Sequence, residues 1–512
     1  MLLGADYSAF GIAAAASAIL VVTLVLRFLS KARQWSHLPQ PPSTSFLFGH
    51  ALETTGAISN WKTLGNYPEP FLSWVKQYGG AIHLREFLEH AVLFTDPAAL
   101  RHIFVSNGPN YPRQPIAMKY FRDKNLGESL SGVEGKQHDA LRKWMNPLFT
   151  ITSIKSFIGI FNSQTQLYCQ NVFDPACDNK APIDLSTVLS KLMLSITGLT
   201  VLGINFDEVP AALEAYERSM IAVSPLVLIG MVTIPGFLSF PLPSLMKRRK
   251  YQATLRQIVK KIIQDKLAAS SSEEPKDLLD MMFPHSTVDE AVAHTVTFIA
   301  GGYDTSSSAL SFVFGTLASH PKVAEAIRSE YKNVISKHGS LSSWEAVAEL
   351  TYTQAVIQET MRINAIAPGT IDRVAEADDH VPMSDGSTVF IPKGTMISTN
   401  IAAMHRNPKY WQDPESFIPN RFIEDSSEWN ADLALRGGKP HAFHYMPFSF
   451  GNKNCIGQRF AMVEMQIIVA TLVSKYDFIA TSKTDMRQGF GGVTIRPANL
   501  EMAVRRVIPS CA

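Results

Sequence analysis

Charge is scarce in this chain. Only 18% of its 512 residues are Asp, Glu, Lys or Arg, against 46% hydrophobic, so side chains for a large core are plentiful. Neither sign dominates: the formal net charge is +2 and the pI is near 8.2. No basic stripe with interleaved aromatic residues occurs, which argues against nucleic acid as a partner. Cysteine is scarcer still, with Cys169, Cys177, Cys455 and Cys511 alone. None falls in a CxxC or a Cys/His pattern, so structural zinc is not expected. Low-complexity segments, repeats and linker-like stretches are missing after residue 50. The roughly three domains that length alone suggests therefore have no boundaries to separate them.

One long uncharged run is present near the start. Tyr7 to Leu26 is 20 residues without a charge. At about 1.5 Å per residue, a helix of that length spans the roughly 30 Å core of a bilayer. Only Asp6 precedes it, while Arg27, Lys31 and Arg33 follow, which places the C-terminal side in the cytosol. The run is long for a signal peptide, its charges are on the wrong flank, and no clear cleavage site follows. Residues 1–36 are expected to be a signal anchor with a basic flank, single-pass in the endoplasmic reticulum membrane. Free thiols, rather than a Cys169–Cys177 disulfide, follow from the reducing side. Leu38-Pro39-Gln40-Pro41-Pro42-Ser43 reads as a stiff hinge, residues 37–45, before a domain over 46–512. A second uncharged stretch, Ser219 to Met246, has 28 residues. Pro225, Gly230, Pro235, Gly236, Pro241 and Pro243 cut it into pieces too short to cross. It reads as a segment that dips into the membrane interface or caps an apolar channel.

Short alternating pieces around Ala81–Leu84 and Ala91–Thr95 read as strands. Gly135 to Trp144 reads as a helix start, Asp289 to Ser319 as a long helix, and Gln458 to Tyr476 as an apolar one. Just before the last lies Phe448-Ser449-Phe450-Gly451-Asn452-Lys453-Asn454-Cys455-Ile456-Gly457. Cys455 stands ahead of a helix N-terminus, where N–H groups and the positive dipole end stabilise an anion. A thiolate there could ligate iron. Gly451 and Gly457 allow conformations and close approaches that a side chain would block.

This stretch resembles the cysteine-ligand loop of the cytochrome P-450 family, F-x-x-G-x-R-x-C-x-G, with Lys453 in place of Arg. Lys keeps the charge but loses the planar fork that grips a haem propionate at two points. Further motifs follow the family order. His138 and Arg142 lie one turn apart where the family has W-x-x-x-R reaching a propionate. Gly301-Gly302-Tyr303-Asp304-Thr305-Ser306 resembles the oxygen-binding groove, with paired glycines weakening the helix so that water enters an opened ladder. Read alone, Thr305 would simply bond back to a carbonyl. Glu359 and Arg362 match E-x-x-R, and Phe417-Ile418-Pro419-Asn420-Arg421-Phe422 resembles F-x-P-E-R-F with Asn420 replacing Glu. The family would interlock Glu359, Arg362 and Arg421 beneath the haem. Arg373 matches the strand arginine that reaches a propionate. Ala365 stands where a proline is common, and His405 is given no metal role.

The resemblance covers nearly the whole chain and implies a mainly α fold with a small β region. It implies haem b with Cys455 as axial ligand, held by His138, Arg142, Arg373, Phe448, Gly451 and Lys453. Asp304 and Thr305 would be the catalytic proton relay. No flavin or nicotinamide fingerprint is present, so electrons are expected from NADPH-cytochrome P-450 reductase, with cytochrome b5 a second donor. Lys136, Lys143, Lys453 and Arg459 could steer that acidic partner. By family position the pocket is lined by the Tyr111–Phe121 region, the 219–246 cap, Ala300, Ile366 to Ile371, and Gly491 to Thr494. Those stretches are mostly apolar, so a lipophilic small molecule is the expected substrate. Secondary-metabolite (terpenoid or polyketide) oxidation and fatty-acid hydroxylation stay open. A haem-thiolate isomerase or dehydratase that uses no O2, and a haem sensor, are the readings from other classes.

Overall fold

Capped and packed helices set the frame of the computed structural model. It describes residues 34–508 together with Val22, apart from 87–88, 207–208, 220–226, 228–229, 232–233, 235, 270–276 and 492. Apart from Val22, the Tyr7–Leu26 run lies outside the described residues. So do its basic flank Arg27, Lys31 and Arg33, much of Ser219–Met246, and Cys511. The helices that build the site are α1 (Pro115–Lys124), α2 (Gly135–Met145), α3 (Ile151–Tyr168), α4 (Leu185–Leu202), α5 (Pro210–Ser219), α6 (Pro243–Ala269), α7 (Val288–Leu317), α8 (Thr351–Ile363) and α9 (Gln458–Lys475).

The longest, α7, starts with a capping box. Thr287 Oγ1 accepts from the Glu290 N–H, and the Glu290 carboxylate accepts from the Thr287 N–H at 2.8 Å. Its most extensive contact is with α4. Gly302 permits that approach, because a Cβ there would lie 3.2 Å from Thr197 Oγ1. Among the described residues, α4 is the one helix long and apolar enough to cross a membrane, and it is 67% buried in this packing. The glycine pair leaves α7 unbroken, contrary to the expected opening, and packing overrides the weak propensity there. The last helix is shorter than expected by one residue: Tyr476 already belongs to a strand, Tyr476–Ala480, that pairs with Glu501–Arg506.

The largest sheet has β1 (Ala81–Glu86), β2 (Glu89–Phe94), β3 (Arg373–Val374) and β4 (Met396–Ser398), in the order β1-β2-β4-β3. The hairpin β1–β2 pairs Ala81 with Phe94 and Glu86 with Glu89, and β2 runs parallel to β4. The proline-rich stretch is docked on this hairpin. Trp35 stacks on His83 at 5.0 Å, and the His83 N–H donates to the Pro39 carbonyl at 3.0 Å. Cys169 and Cys177 are free thiols.

Glu359, Arg362 and Arg421 interlock in the core. Arg362 donates to both Glu359 oxygens at 2.6 and 2.9 Å, and Arg421 Nε donates to Glu359 Oε1 at 3.1 Å. All three are at most 1% exposed, which leaves no water to replace a lost partner. Arg421 also holds Asp432, a buried carboxylate that sequence reading missed, at 2.9 Å. Arg362 donates to the carbonyls of His405, Pro414 and Ser416, tying the segment after β4 to α8. Removing one partner of a buried pair costs about 3–5 kcal/mol. Glu359→Ala is therefore expected to lower the thermal midpoint by several degrees or prevent accumulation of folded protein, read by circular dichroism. An unchanged midpoint would show that the network carries no stability.

Candidate active site

The cysteine loop is closed by its own backbone. The Cys455 N–H donates to the Phe448 carbonyl at 2.8 Å. Gly451 has φ +80° and faces the Phe104 carbonyl, which a Cβ would meet at 2.0 Å, so only glycine fits. Gly457 has an ordinary φ of −87° and no crowded neighbour, so its expected role as a close-approach glycine finds no cause within the protein. Phe448 is half-buried and packs on the main core. Burial raises the Cys455 thiol pKa, while the Gly457 N–H and the charge of Arg142 pull it down. Cys455 is nevertheless exposed in this structure.

Beside the loop is a cluster of cations. Lys453 Nζ lies 2.5 Å from Glu134 Oε2, and Arg113 pairs with Glu134 Oε1. The Arg113 guanidinium also donates to the carbonyls of Leu130 and Val133. Burial would raise Glu134, but Arg113 and Lys453 outweigh it and hold the carboxyl below its usual range. Arg373 lies next to Arg113 through a backbone bridge and over the Phe104 ring at 5.1 Å. Its Nε is buried with no partner, and burial, then Arg113, pushes its pKa down to about 10, so it stays charged at neutral pH. His138 is buried, its Nδ1 3.2 Å from Asp139, and burial lowers its pKa. Arg142 donates to the Asn454 carbonyl at 2.7 Å and the Asn454 side chain at 2.6 Å. Arg142 thus braces the cysteine loop itself.

Two site residues were missed in the sequence. Arg113 and Glu134 face each other from loops flanking α1, and nothing local signals it. Lys453 was expected to help receive a redox partner, but its side chain is only 9% exposed and turned in to Glu134. Lys136, Lys143 and Arg459 remain exposed. His405 is a buried neutral imidazole. It accepts from the Met446 N–H at 2.8 Å and its pKa falls to about 3 by burial.

On α7, Gly301 and Thr305 are exposed one turn apart, although most of the helix is buried. Thr305 Oγ1 donates to the Gly301 carbonyl at 2.7 Å, the back-bond of an ordinary helix. Asp304 lies about a quarter-turn round and accepts from Thr494 Oγ1 at 2.9 Å. It borders a cavity of about 450 Å³ that Ser307, Ser308, Ser311 and Arg496 also line. This cavity is polar, and none of the stretches expected to line the apolar substrate pocket borders it. Asp304 and Thr305 therefore stand on adjoining faces, Asp304 toward a polar cavity and Thr305 on an exposed face shared with Gly301.

Helices around an internal cysteine loop, with an acid and an alcohol on the longest helix, define a haem-thiolate enzyme scaffold. The family model described as Cytochrome P450 matches residues 39–504, and the chain belongs to that family. It is 27% identical over 520 residues to cytochrome P450 monooxygenase 205 of Postia placenta, covering 91% of this chain and 90% of that one. It is 26% identical over 530 residues to ganoderic acid synthetase of Ganoderma lucidum, covering 93% and 94%. Cytochrome P450 3A9 of Rattus norvegicus is 26% identical over 438 residues, covering 80% and 81%.

Family members bind haem b through a cysteine thiolate. The residues present fit that group. Arg113 and Lys453 share the carboxylate of Glu134, and Arg373, beside Arg113, has an orphaned Nε, so the cations outnumber the carboxylate that pairs with them. A group with two carboxylates neutralises them, and haem b has two propionates. Arg373→Met is expected to weaken haem retention about tenfold, the scale of one charged hydrogen bond. Transfer of haem to an excess of apomyoglobin measures it, and an unchanged transfer rate would remove Arg373 from the haem site.

Proposed function

We propose that this member of the family is a monooxygenase of a lipophilic small molecule in secondary metabolism, drawing electrons from a separate NADPH-dependent reductase. The observation that carries the reading is the closed Cys455 loop beside a cation cluster in which Arg373 Nε has no partner. Cys455 holds the metal, and Arg113, Arg373 and Lys453 hold the propionates. Bound haem supplies activation of O2 for insertion of one oxygen atom into substrate. The chain's own residues supply dryness, orientation and protons. Asp304 takes up protons from the polar cavity, where Thr494 holds it, and Thr305 presents its hydroxyl on the face it shares with Gly301. The Gly301 carbonyl receives the Thr305 hydrogen, so Oγ1 keeps its lone pairs open to a proton from the cavity side.

Residues 7–26 anchor the protein in the endoplasmic reticulum membrane, with the catalytic domain cytosolic, on the strength of the uncharged run and its basic flank. Phe240, Leu242 and Met246 are exposed beside the uncharged stretch and suit contact with the same surface. Lys136, Lys143 and Arg459 suit an acidic reductase. The fungal relatives support a secondary metabolite over a fatty acid, since one is named for ganoderic acid synthesis.

Reconstitution with reductase, NADPH and O2 tests the reading. Product should require all three. Thr305→Ala should lower product per NADPH and raise peroxide, with a rate loss of about 10²–10⁴-fold for a positioned proton donor. Turnover without O2 would favour an isomerase or dehydratase, and full coupling in Thr305→Ala would remove the relay.

A further inference from the structure

Arg436 adds a cation to the core network of Glu359, Arg362, Arg421 and Asp432 without adding an acid. It follows the helix Ser427–Leu435, and its backbone N–H donates to the Asp432 carbonyl at 3.1 Å. Arg436 is 4% exposed, and its Nε, Nη1 and Nη2 are all buried without a hydrogen-bond partner among the described residues. The guanidinium lies over the Trp411 ring at 4.9 Å, and the Arg362 guanidinium lies over the same ring at 5.3 Å. Stacking engages the flat face of a guanidinium and leaves the five N–H donors in its plane unmet. Two neighbouring nitrogens are open as well. Trp411 Nε1 is buried without a partner, and so is His441 Nε2, on a ring 5.7 Å from that of Trp411.

The acids nearby are already committed. Glu359 serves Arg362 and Arg421. Asp432 accepts from Arg421 Nη1 at 2.9 Å and from the Gln412 N–H at 2.7 Å. Glu415 pairs with Arg406 at 3.1 Å, and Glu428 accepts from Ser427 at 2.7 Å. Arg362, Arg421 and Arg436 are thus three buried guanidiniums facing two buried carboxylates, Glu359 and Asp432. Water would accept from Arg436 but leave its charge unmet, and an uncompensated buried charge is strongly destabilising. An excess of one positive charge calls for one monovalent anion. The ring packing of Trp411, Phe422 and His441 suits a compact ion over an organic one. The exposed loop Gly437 to Pro440 follows Arg436 directly, so an ion from solvent has a short way in. We propose that Arg436 holds a chloride-sized monovalent anion, which completes the charge of the buried network. The site is separate from substrate and from the reaction chemistry.

Haem-loaded full-length protein is dialysed into sodium gluconate, whose anion is too large for such a site. Sodium chloride then replaces it stepwise at constant ionic strength. The thermal midpoint, read by circular dichroism, should rise saturably, by about 2 °C at a hundredfold excess of chloride over its dissociation constant. The chloride-35 NMR line should be broadened by the protein, and added bromide should narrow it again by displacement. Arg436→Met should lose the saturable shift and that share of the broadening, so the gap between variant and unaltered protein should open as chloride is added. Arg436→Gln replaces the Met variant if that one fails to hold haem. The proposal is overturned if chloride changes neither midpoint nor line width in the unaltered protein. It is also overturned if the chloride effect persists in the variant, which would make it a general salt effect. A variant that melts lower by the same amount in both salts would overturn it too, leaving Arg436 a packing residue alone.

Discussion

Arg113 and Lys453 meet on one carboxylate, Glu134, with Arg373 beside Arg113, at a largely buried place. Like charges held together in a medium of low polarity repel strongly. The fold accepts that cost because each cation is fixed by a different part of the chain. Arg113 sits in the loop before α1, Arg373 on β3, Lys453 in the cysteine loop, and Glu134 just before α2. A dianion placed among them would join all four segments. Haem b, which this family binds through a cysteine thiolate, is such a dianion, and Cys455 would supply that thiolate. The buried positive charge and the cysteine loop are therefore one design.

The helix α7 then divides the interior. Its start is capped, and Gly302 lets it sit close to α4. Thr305 and Gly301 are exposed one turn apart, whereas Asp304 is turned toward the polar cavity and Thr494. That separation suits proton traffic. An acid open to water can reload between turnovers, and a neighbouring alcohol can pass the proton on.

Local patterns were legible in the sequence, and distant pairings were not. Glu359 and Arg362 are one helical turn apart, so their contact could be read from spacing, and Arg421 came with its own motif. Asp432, which completes the network, has no pattern to mark it. Arg113 meets Arg373 across 260 positions of sequence, and Asp304 meets Thr494 across 190, distances at which periodicity carries no information. Lys453 read as a surface charge because its motif position says nothing of where the side chain turns. The glycine pair read as a weak point in α7, but helices packed on either side hold the ladder closed. Tyr476 read as helix because it is apolar, and strand pairing with Arg506 claims it.

The central claim is that Cys455, as a thiolate, holds haem iron in the cluster that Arg113, Arg373 and Lys453 define. The absorption spectrum of the reduced, carbon-monoxide-bound protein tests it most directly. The unaltered protein should show the thiolate-haem band near ~450 nm. Cys455→Ala should lose that band, even where some haem stays bound through the cations. Retention of the band in Cys455→Ala, or its absence from the unaltered haem-loaded protein, would contradict the account.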